Sequence, residues 1–241
     1  MSVPLPLAGQ SALVTGASRG IGAASARALA ALGARVVLVS RDRAALETIA
    51  AACGHGAAVL TADLAIPAAA AEVGAATVAL LGRAPDVIVH SAGSFPISAL
   101  DAVSDTELDL ALALNVAAPL RLTRAFLANM RERGSGHVVT IGSVSDRVVF
   151  PSNAVYTASK HAVRAVHETL RAETRGSGVR ATLISPAATD TAIWDQHDPD
   201  RSPHLPSRSE MLRPEDVAEA VLWAVMRPSH VDVEELRLSR S

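Results

Sequence analysis

The sequence predicts an α/β fold: a single domain in which one doubly wound, seven-stranded parallel sheet carries helices on both faces. Three observations lead there. Short apolar runs alternate with longer helical stretches along nearly all of the 241 residues, the rhythm of strand-to-helix crossovers. The composition is 49% hydrophobic and rich in Ala, Val and Leu, yet only 2% aromatic, which suits strands buried on both sides beneath small-residue helices. The length, with no internal repeat or linker, fits one large sheet.

The elements follow in order. Ser11 to Thr15 is an apolar run closed by Gly16, and Gly20 to Leu32 follows it as an Ala-rich helix: strand, glycine turn, helix. Arg35 to Ser40 is the second strand, Asp42 to Cys53 the second helix and Ala57 to Thr61 the third strand. Pro67 to Gly82 reads as helix, Asp86 to His90 as strand, Asp105 to Arg131 as one long helix and His137 to Ile141 as strand. A helix from 154 to about 175, a strand over Val179 to Ser185, a helix over Pro214 to Met226 opened by proline, and a last strand over Val231 to Leu236 complete the pattern. One stretch breaks the rhythm. Thr189 to Ser209 is too long for an ordinary connection and lacks apolar periodicity, so it reads as a lid that orders over bound ligand.

Charge and cysteine usage exclude several classes of function. A formal net charge of -2 without a basic stripe argues against a nucleic-acid partner. Cys53 is the only cysteine, so no intrachain disulfide is possible, and no Cys/His spacing resembles a metal site. A reducing, cytoplasmic setting is expected. Met1 to Gln10 has no basic start and no apolar core, unlike a signal peptide, and the apolar runs elsewhere are interrupted well short of the roughly 20 residues of a membrane helix.

The chemistry concentrates in a few places. Tyr156 and Lys160 lie four apart, hence on one helix face, and Tyr156 is the only tyrosine. A nearby ammonium stabilises phenolate, so the phenol pKa is expected to fall towards working pH, as a general acid/base requires. Alone, such a pair is equally an ordinary solvated helix face. Thr15-Gly16-Ala17-Ser18-Arg19-Gly20-Ile21-Gly22 joins the first strand to the first helix. Glycines there allow a sharp turn and let a pyrophosphate reach the helix N-terminus, the Rossmann-type arrangement. At the end of the second strand stand Ser40 and Arg41, where a carboxylate would bind a ribose 2'-hydroxyl. With Arg19, Arg41 would instead clamp a 2'-phosphate, which points to NADP(H).

In register with these come Asp63, His90-Ser91-Ala92-Gly93, Asn115, Ser143, Tyr156-x-x-x-Lys160 and Pro186. In order and spacing this set resembles the short-chain dehydrogenase/reductases over nearly the whole chain. The resemblance implies that Tyr156 exchanges a proton with a carbonyl or alcohol and that Ser143 hydrogen-bonds the substrate oxygen, with Ser145 a weaker candidate. It further implies that Lys160 tunes Tyr156 and holds the nicotinamide ribose, and that Asn115 distorts its helix and holds a water linking Lys160 to solvent. By the same resemblance Gly16, Ser18, Arg19, Gly20, Ile21, Gly22, Ser40 and Arg41 contact the cofactor. So do Asp63 and Leu64 at the adenine, Ser91, Ala92 and Gly93 beneath it, and Pro186, Thr189 and Thr191 near the carboxamide and phosphates. Two positions depart from the family pattern: His90-Ser91 stands for Asn-Asn, and Pro186-Ala187 for Pro-Gly. The tail from Arg213 to Leu236 resembles the NADP-dependent 3-hydroxy acid and serine dehydrogenase branch.

The function expected from the resemblance is NADPH-dependent hydride transfer between nicotinamide and a small-molecule carbonyl or secondary alcohol, by a homodimer or homotetramer. A 3-hydroxy acid dehydrogenase, or a catalytically silent NADPH-binding regulator, is the alternative. Phe95, Phe150 and Trp194 fall at loops around the expected crevice and suggest an apolar or aryl carbonyl. A 3-hydroxy acid would need a cation near the lid, a part Arg201 or Arg208 would have to play.

Overall fold

In a computed structural model, which describes residues 5–54 and 56–241, seven parallel strands form one sheet in the order β3-β2-β1-β4-β5-β6-β7. Pro4 and the start of the N-terminal stretch lie outside the described residues. The strands are β1 Ser11–Thr15, β2 Arg35–Ser40, β3 Ala58–Thr61, β4 Val87–His90, β5 Gly136–Ile141, β6 Val179–Pro186 and β7 Glu235–Leu238. The chain runs from β1 outward to β3, then returns past β1 to β4, so the order reverses between β1 and β4. That reversal opens a crevice beyond the carboxyl ends of those two strands, where ligands of open α/β sheets sit.

Helices cover both faces because the strands are apolar on both. In β1, Ala12 and Val14 face one core with Leu29 and Ala26 of α1 (Gly20–Ala31), Leu46 of α2 (Arg43–Cys53) and Val217 and Val221 of α7 (Pro214–Val225). Leu13 faces the other, with Val73 of α3 (Ala69–Leu81) and Leu122, Phe126 and Met130 of α5 (Ala118–Arg133). Alternate residues along a strand point to opposite faces, so one run of five buried residues feeds both layers. Asp42 caps α2 through its carboxylate, 3.0 Å from the Ala45 N–H.

Two elements differ from the sequence expectation. The long helix is interrupted: α4 (Asp105–Leu112) passes into a π-turn over Ala113–Ala117 before α5 begins. Pro119, in the first turn of α5, has no N–H with which to bond the carbonyl of Asn115 four residues back. The Ala118 N–H bonds the Ala113 carbonyl, five residues back, and the backbone closes around a bulge at Asn115. Together these segments span 29 residues, by length and composition enough to cross a bilayer, but Leu122, Phe126 and Met130 pack into the sheet.

The last strand is also displaced, from Val231–Leu236 to Glu235–Leu238. Arg180 explains the shift. Its guanidinium bonds the carbonyls of Val225, Arg227 and Val231, so the residues after α7 are held by a side chain and pairing starts only at Leu183 with Glu235.

Candidate active site

A cavity of about 1060 Å³ opens at the carboxyl ends of the strands, with Ser91, Gly93, Ser143, Ser145, Tyr156, Lys160, Pro186, Thr189 and Thr191 among its walls. Tyr156 and Lys160 come from the first two turns of α6 (Ala154–Thr174), and Ser143 from the end of β5. The Lys160 ammonium donates to the Ile141 carbonyl at 3.0 Å and sits 5.5 Å from the centre of the Tyr156 ring. Asn115 reaches the same region from the π-turn. Its Oδ1 accepts from the Ser94 N–H at 2.8 Å, while Nδ2 donates to the Ser94 carbonyl and to Ser159 Oγ. Ser159 in turn donates to the Tyr156 carbonyl at 2.7 Å. The Asn115 side chain therefore ties the turn after β4 to α6, and its amide is fully engaged.

The expected lowering of the tyrosine pKa is overturned. Tyr156 keeps an edge on the cavity, but burial pushes its phenol up to about 12, against the pull of the Ser143 hydroxyl beside it and helped by the Asp146 carboxylate. Burial likewise pushes the Lys160 ammonium down to about 8, with Asp146 opposing. Desolvation sets both directions because Lys160 is buried, Tyr156 is half-buried at the cavity wall beside the Asp146 carboxylate, and the ammonium is bonded to a carbonyl rather than to the phenol. The phenol is thus protonated throughout the neutral range.

Lys160 carries a consequence for stability. Its folded pKa near 8 lies below the ordinary 10.5, so between these values the unfolded chain binds more protons, and stability rises as pH rises through that window. At pH 7 the full cost of about 3 kcal/mol is present. Lys160→Met should therefore stabilise the protein at pH 7 by about 2 kcal/mol, allowing about 1 kcal/mol for the Ile141 carbonyl left unpaired. Urea melts at pH 7 and pH 10 check this: the gain should shrink at the higher pH, and a loss at pH 7 would refute the burial argument.

The glycine loop is built for close approach. Gly16 has φ of 65°, and a Cβ there would lie 2.8 Å from the Ala92 backbone nitrogen; one on Gly22 would meet the Gly16 carbonyl oxygen at 2.3 Å. Thr15 Oγ1 accepts from the N–H groups of Ser91 and Ala92, locking the turn after β4 against this loop. Arg19 precedes α1, whose N-terminus has no side-chain cap and no acid in its first turn, so its N–H groups and dipole suit an anion. Ser18 and Ile21 flank this end, and Thr191 lies against Gly20.

The remaining candidates separate by position. Ser40 and Arg41 end β2, Asp63 and Leu64 follow β3, and none of the four lines the cavity, which covers only the half of the crevice beside β4 to β6. Asp63 accepts from the Ala65 N–H in a tight turn and Leu64 is buried. Arg43 pairs with Glu47, whereas Arg19 and Arg41 make no ion pair among the described residues. Ala187 has no positive φ, so replacing the family's glycine costs the backbone nothing. Thr189 bonds the Ala187 carbonyl, and Thr191 caps the short helix Ala192–His197.

One residue was missed. Asp146, 2% exposed, accepts from Ser185 Oγ at 2.7 Å through Oδ2, lies 3.8 Å from Arg164, and leaves Oδ1 without a partner. In the sequence it reads as a turn acid after β5; only the folding of β6 and α6 around it encloses the carboxylate behind Tyr156 and Lys160.

Comparison with known proteins places these features in context. A family model for short chain dehydrogenases matches residues 10–202. An uncharacterized oxidoreductase of Staphylococcus epidermidis is 33% identical over 94% of this chain and 95% of its own length. The crystal structure of a metagenomic short-chain oxidoreductase in complex with NADP superposes with a TM-score of 0.84 at 32% identity, covering 98% of this chain and 99% of that one. Serine dehydrogenase from Escherichia coli has a TM-score of 0.82 at 28% identity, over 95% of this chain and 97% of its own.

Proposed function

We infer the reaction from one premise: the chain belongs to the short-chain dehydrogenase/reductase family and is an oxidoreductase of that family. The reading is an NADPH-dependent reductase of ketones or aldehydes, or the same enzyme oxidising secondary alcohols. A bound NADPH would supply the hydride. The chain's own residues manage the oxygen. As the carbonyl π bond breaks and the carbon gains hydride, Tyr156 gives its proton to the oxygen and regains one from solvent. Ser143 donates a second hydrogen bond to the atom where negative charge develops. Lys160 would bond the cofactor's ribose, and the Asn115 carbonyl, released from the helix by Pro119, would serve a relay of protons towards Lys160. The observation that carries this reading is the Ser143 hydroxyl beside a protonated Tyr156 phenol on one cavity wall. An intact Ser/Tyr/Lys set disfavours a silent regulator. NADPH oxidation with a broad panel of carbonyls is the test, and no turnover of any of them would remove the enzyme reading.

The residues fit the phosphates of the cofactor. The uncapped end of α1, with Gly16, Gly20 and Gly22, would hold the pyrophosphate, and Arg19 and Arg41 the 2'-phosphate. Arg41→Asp should shift preference from NADPH towards NADH by about 2–4 kcal/mol, a charge-assisted bond exchanged for repulsion. Calorimetric titration with both cofactors measures this; equal affinities in the unmutated protein would refute it.

We further propose a homodimer or homotetramer in the cytoplasm. Leu108, Leu112 and Leu120 are exposed on α4 and α5, and a groove of about 560 Å³ between α5 and α6 is lined by Leu120, Leu127, Val166 and Leu170. Exposed apolar surface of this kind favours association of two copies.

A further inference from the structure

We propose that the cavity beside Tyr156 selects neutral ketones or secondary alcohols carrying an apolar or aryl group and rejects oxo and hydroxy acids; this rests on the oxidoreductase reading above. The wall facing Tyr156 is aromatic. Phe95 meets the Tyr156 ring edge to face at 4.6 Å, and Trp194 meets Phe95 in the same manner at 4.8 Å. Phe95 and Trp194 are 9% and 8% exposed, and Ile97, Ile193 and Leu205 pack around them.

The polar tips of this cluster are engaged within the protein. The Trp194 indole N–H donates to the Thr189 carbonyl at 3.0 Å, and His197 Nε2 lies 2.9 Å from the Phe95 carbonyl, which can only accept. What remains for a substrate beside Tyr156 is chiefly ring edge and aliphatic surface, which favours a flat apolar group.

No arginine among the described residues stands on the same wall, and of its two histidines His197 is held at the Phe95 carbonyl while His204 lies beside Leu205. Among the described residues, Lys160 is the only lysine or arginine that lines the cavity, and its ammonium donates to the Ile141 carbonyl. Arg208, which a hydroxy acid would need, is committed elsewhere. It pairs with Asp190 at 2.6 Å, Asp195 at 2.7 Å and Asp200 at 4.0 Å, and also donates to the Thr191 carbonyl. Three carboxylates around one guanidinium leave the base of the lid net negative. Arg201 is exposed and pairs with Asp198. A substrate carboxylate would therefore lose its hydration without gaining a lysine or arginine partner.

The test uses the full-length protein with NADPH and two substrates sharing one ketone, ethyl benzoylformate and the benzoylformate anion. The ester should be favoured in kcat/KM by at least about a hundredfold, the size expected when a charged group enters a site with no partner for it. Equal or better use of the anion would overturn the proposal. Leu205→Arg, which places a cation on the wall, should narrow the ratio at least tenfold; an unchanged ratio would show that the missing cation is not the cause. Should no carbonyl in the wider panel be reduced, the oxidoreductase reading fails on its own. Charge selection is then read from quenching of Trp194 in a Trp223→Phe background. Tighter binding of the ester supports selection by the wall, and tighter binding of the anion overturns it.

Discussion

Tyr156→Phe should lower kcat/KM for carbonyl reduction by roughly a thousandfold or more while NADPH still binds. A positioned general acid contributes about 10²- to 10⁴-fold, and within the described cavity the phenol is the group that is both protonated at neutral pH and beside Ser143. The substitution removes one oxygen and leaves the ring against Phe95, so the aromatic wall should persist. Ser143→Ala should cost less, about a hundredfold, since it deletes a hydrogen bond to developing charge but not the proton itself. A loss below tenfold in Tyr156→Phe would remove the proton-transfer role. Because Tyr156 is the only phenol, ultraviolet titration reads it directly. In the free, folded protein no phenolate should appear until well above pH 10; a signal near pH 9 would contradict the dominance of burial.

Mild acid should destabilise this protein strongly. His90 and His137 are buried near the end of β4 and in β5, and burial holds both imidazoles down to about 3. His137 is pressed further by Arg180 and His167. Each ring meets a threonine through Nε2, Thr123 at 2.9 Å and Thr182 at 2.8 Å, and each Nδ1 has no partner. Thr182 donates its own proton to the Val233 carbonyl, so His137 must carry its proton on Nε2, and a second proton would go to the orphaned nitrogen. The folded values lie below the ordinary 6.5, so the unfolded chain binds more protons between pH 6.5 and 3, and stability falls as pH falls through that window. At pH 5 each histidine should cost about 2 kcal/mol relative to pH 7, and at pH 3 about 4 kcal/mol, against about 5–15 kcal/mol for a typical domain. Urea unfolding between pH 7 and 4.5 measures the slope. His90→Gln with His137→Gln, both neutral and with an amide nitrogen at the Nε2 position able to donate to the same threonines, should flatten it; an unchanged slope would assign the acid sensitivity to carboxylates instead.

The sequence by itself determined the sheet, because burial on both faces of a parallel strand needs a continuous apolar run, and runs such as Leu13-Val14 and Val36-Val37-Leu38-Val39 have no other stable use. It also determined which side chains would meet: residues four apart on a helix share a face whatever surrounds them, so Tyr156 and Lys160 were legible, as was the glycine turn at Gly16. The interruption at Asn115 was implied only by the resemblance, and the expected long helix took no account of Pro119, which stands four residues later and leaves that carbonyl without its helical partner. Only the tertiary structure decided the electrostatics. Whether a phenol is lowered by an ammonium or raised by burial depends on how much protein encloses both, and that enclosure comes from β5, α6 and the segment around Trp194, distant in sequence. The same holds for Asp146 and for Arg208: one is an exposed-looking turn acid and the other a free-looking cation until Ser185, Asp190, Asp195 and Asp200 are brought to them. Spacing along a chain sets which local faces exist, whereas desolvation and charge pairing are sums over neighbours that the sequence order does not reveal.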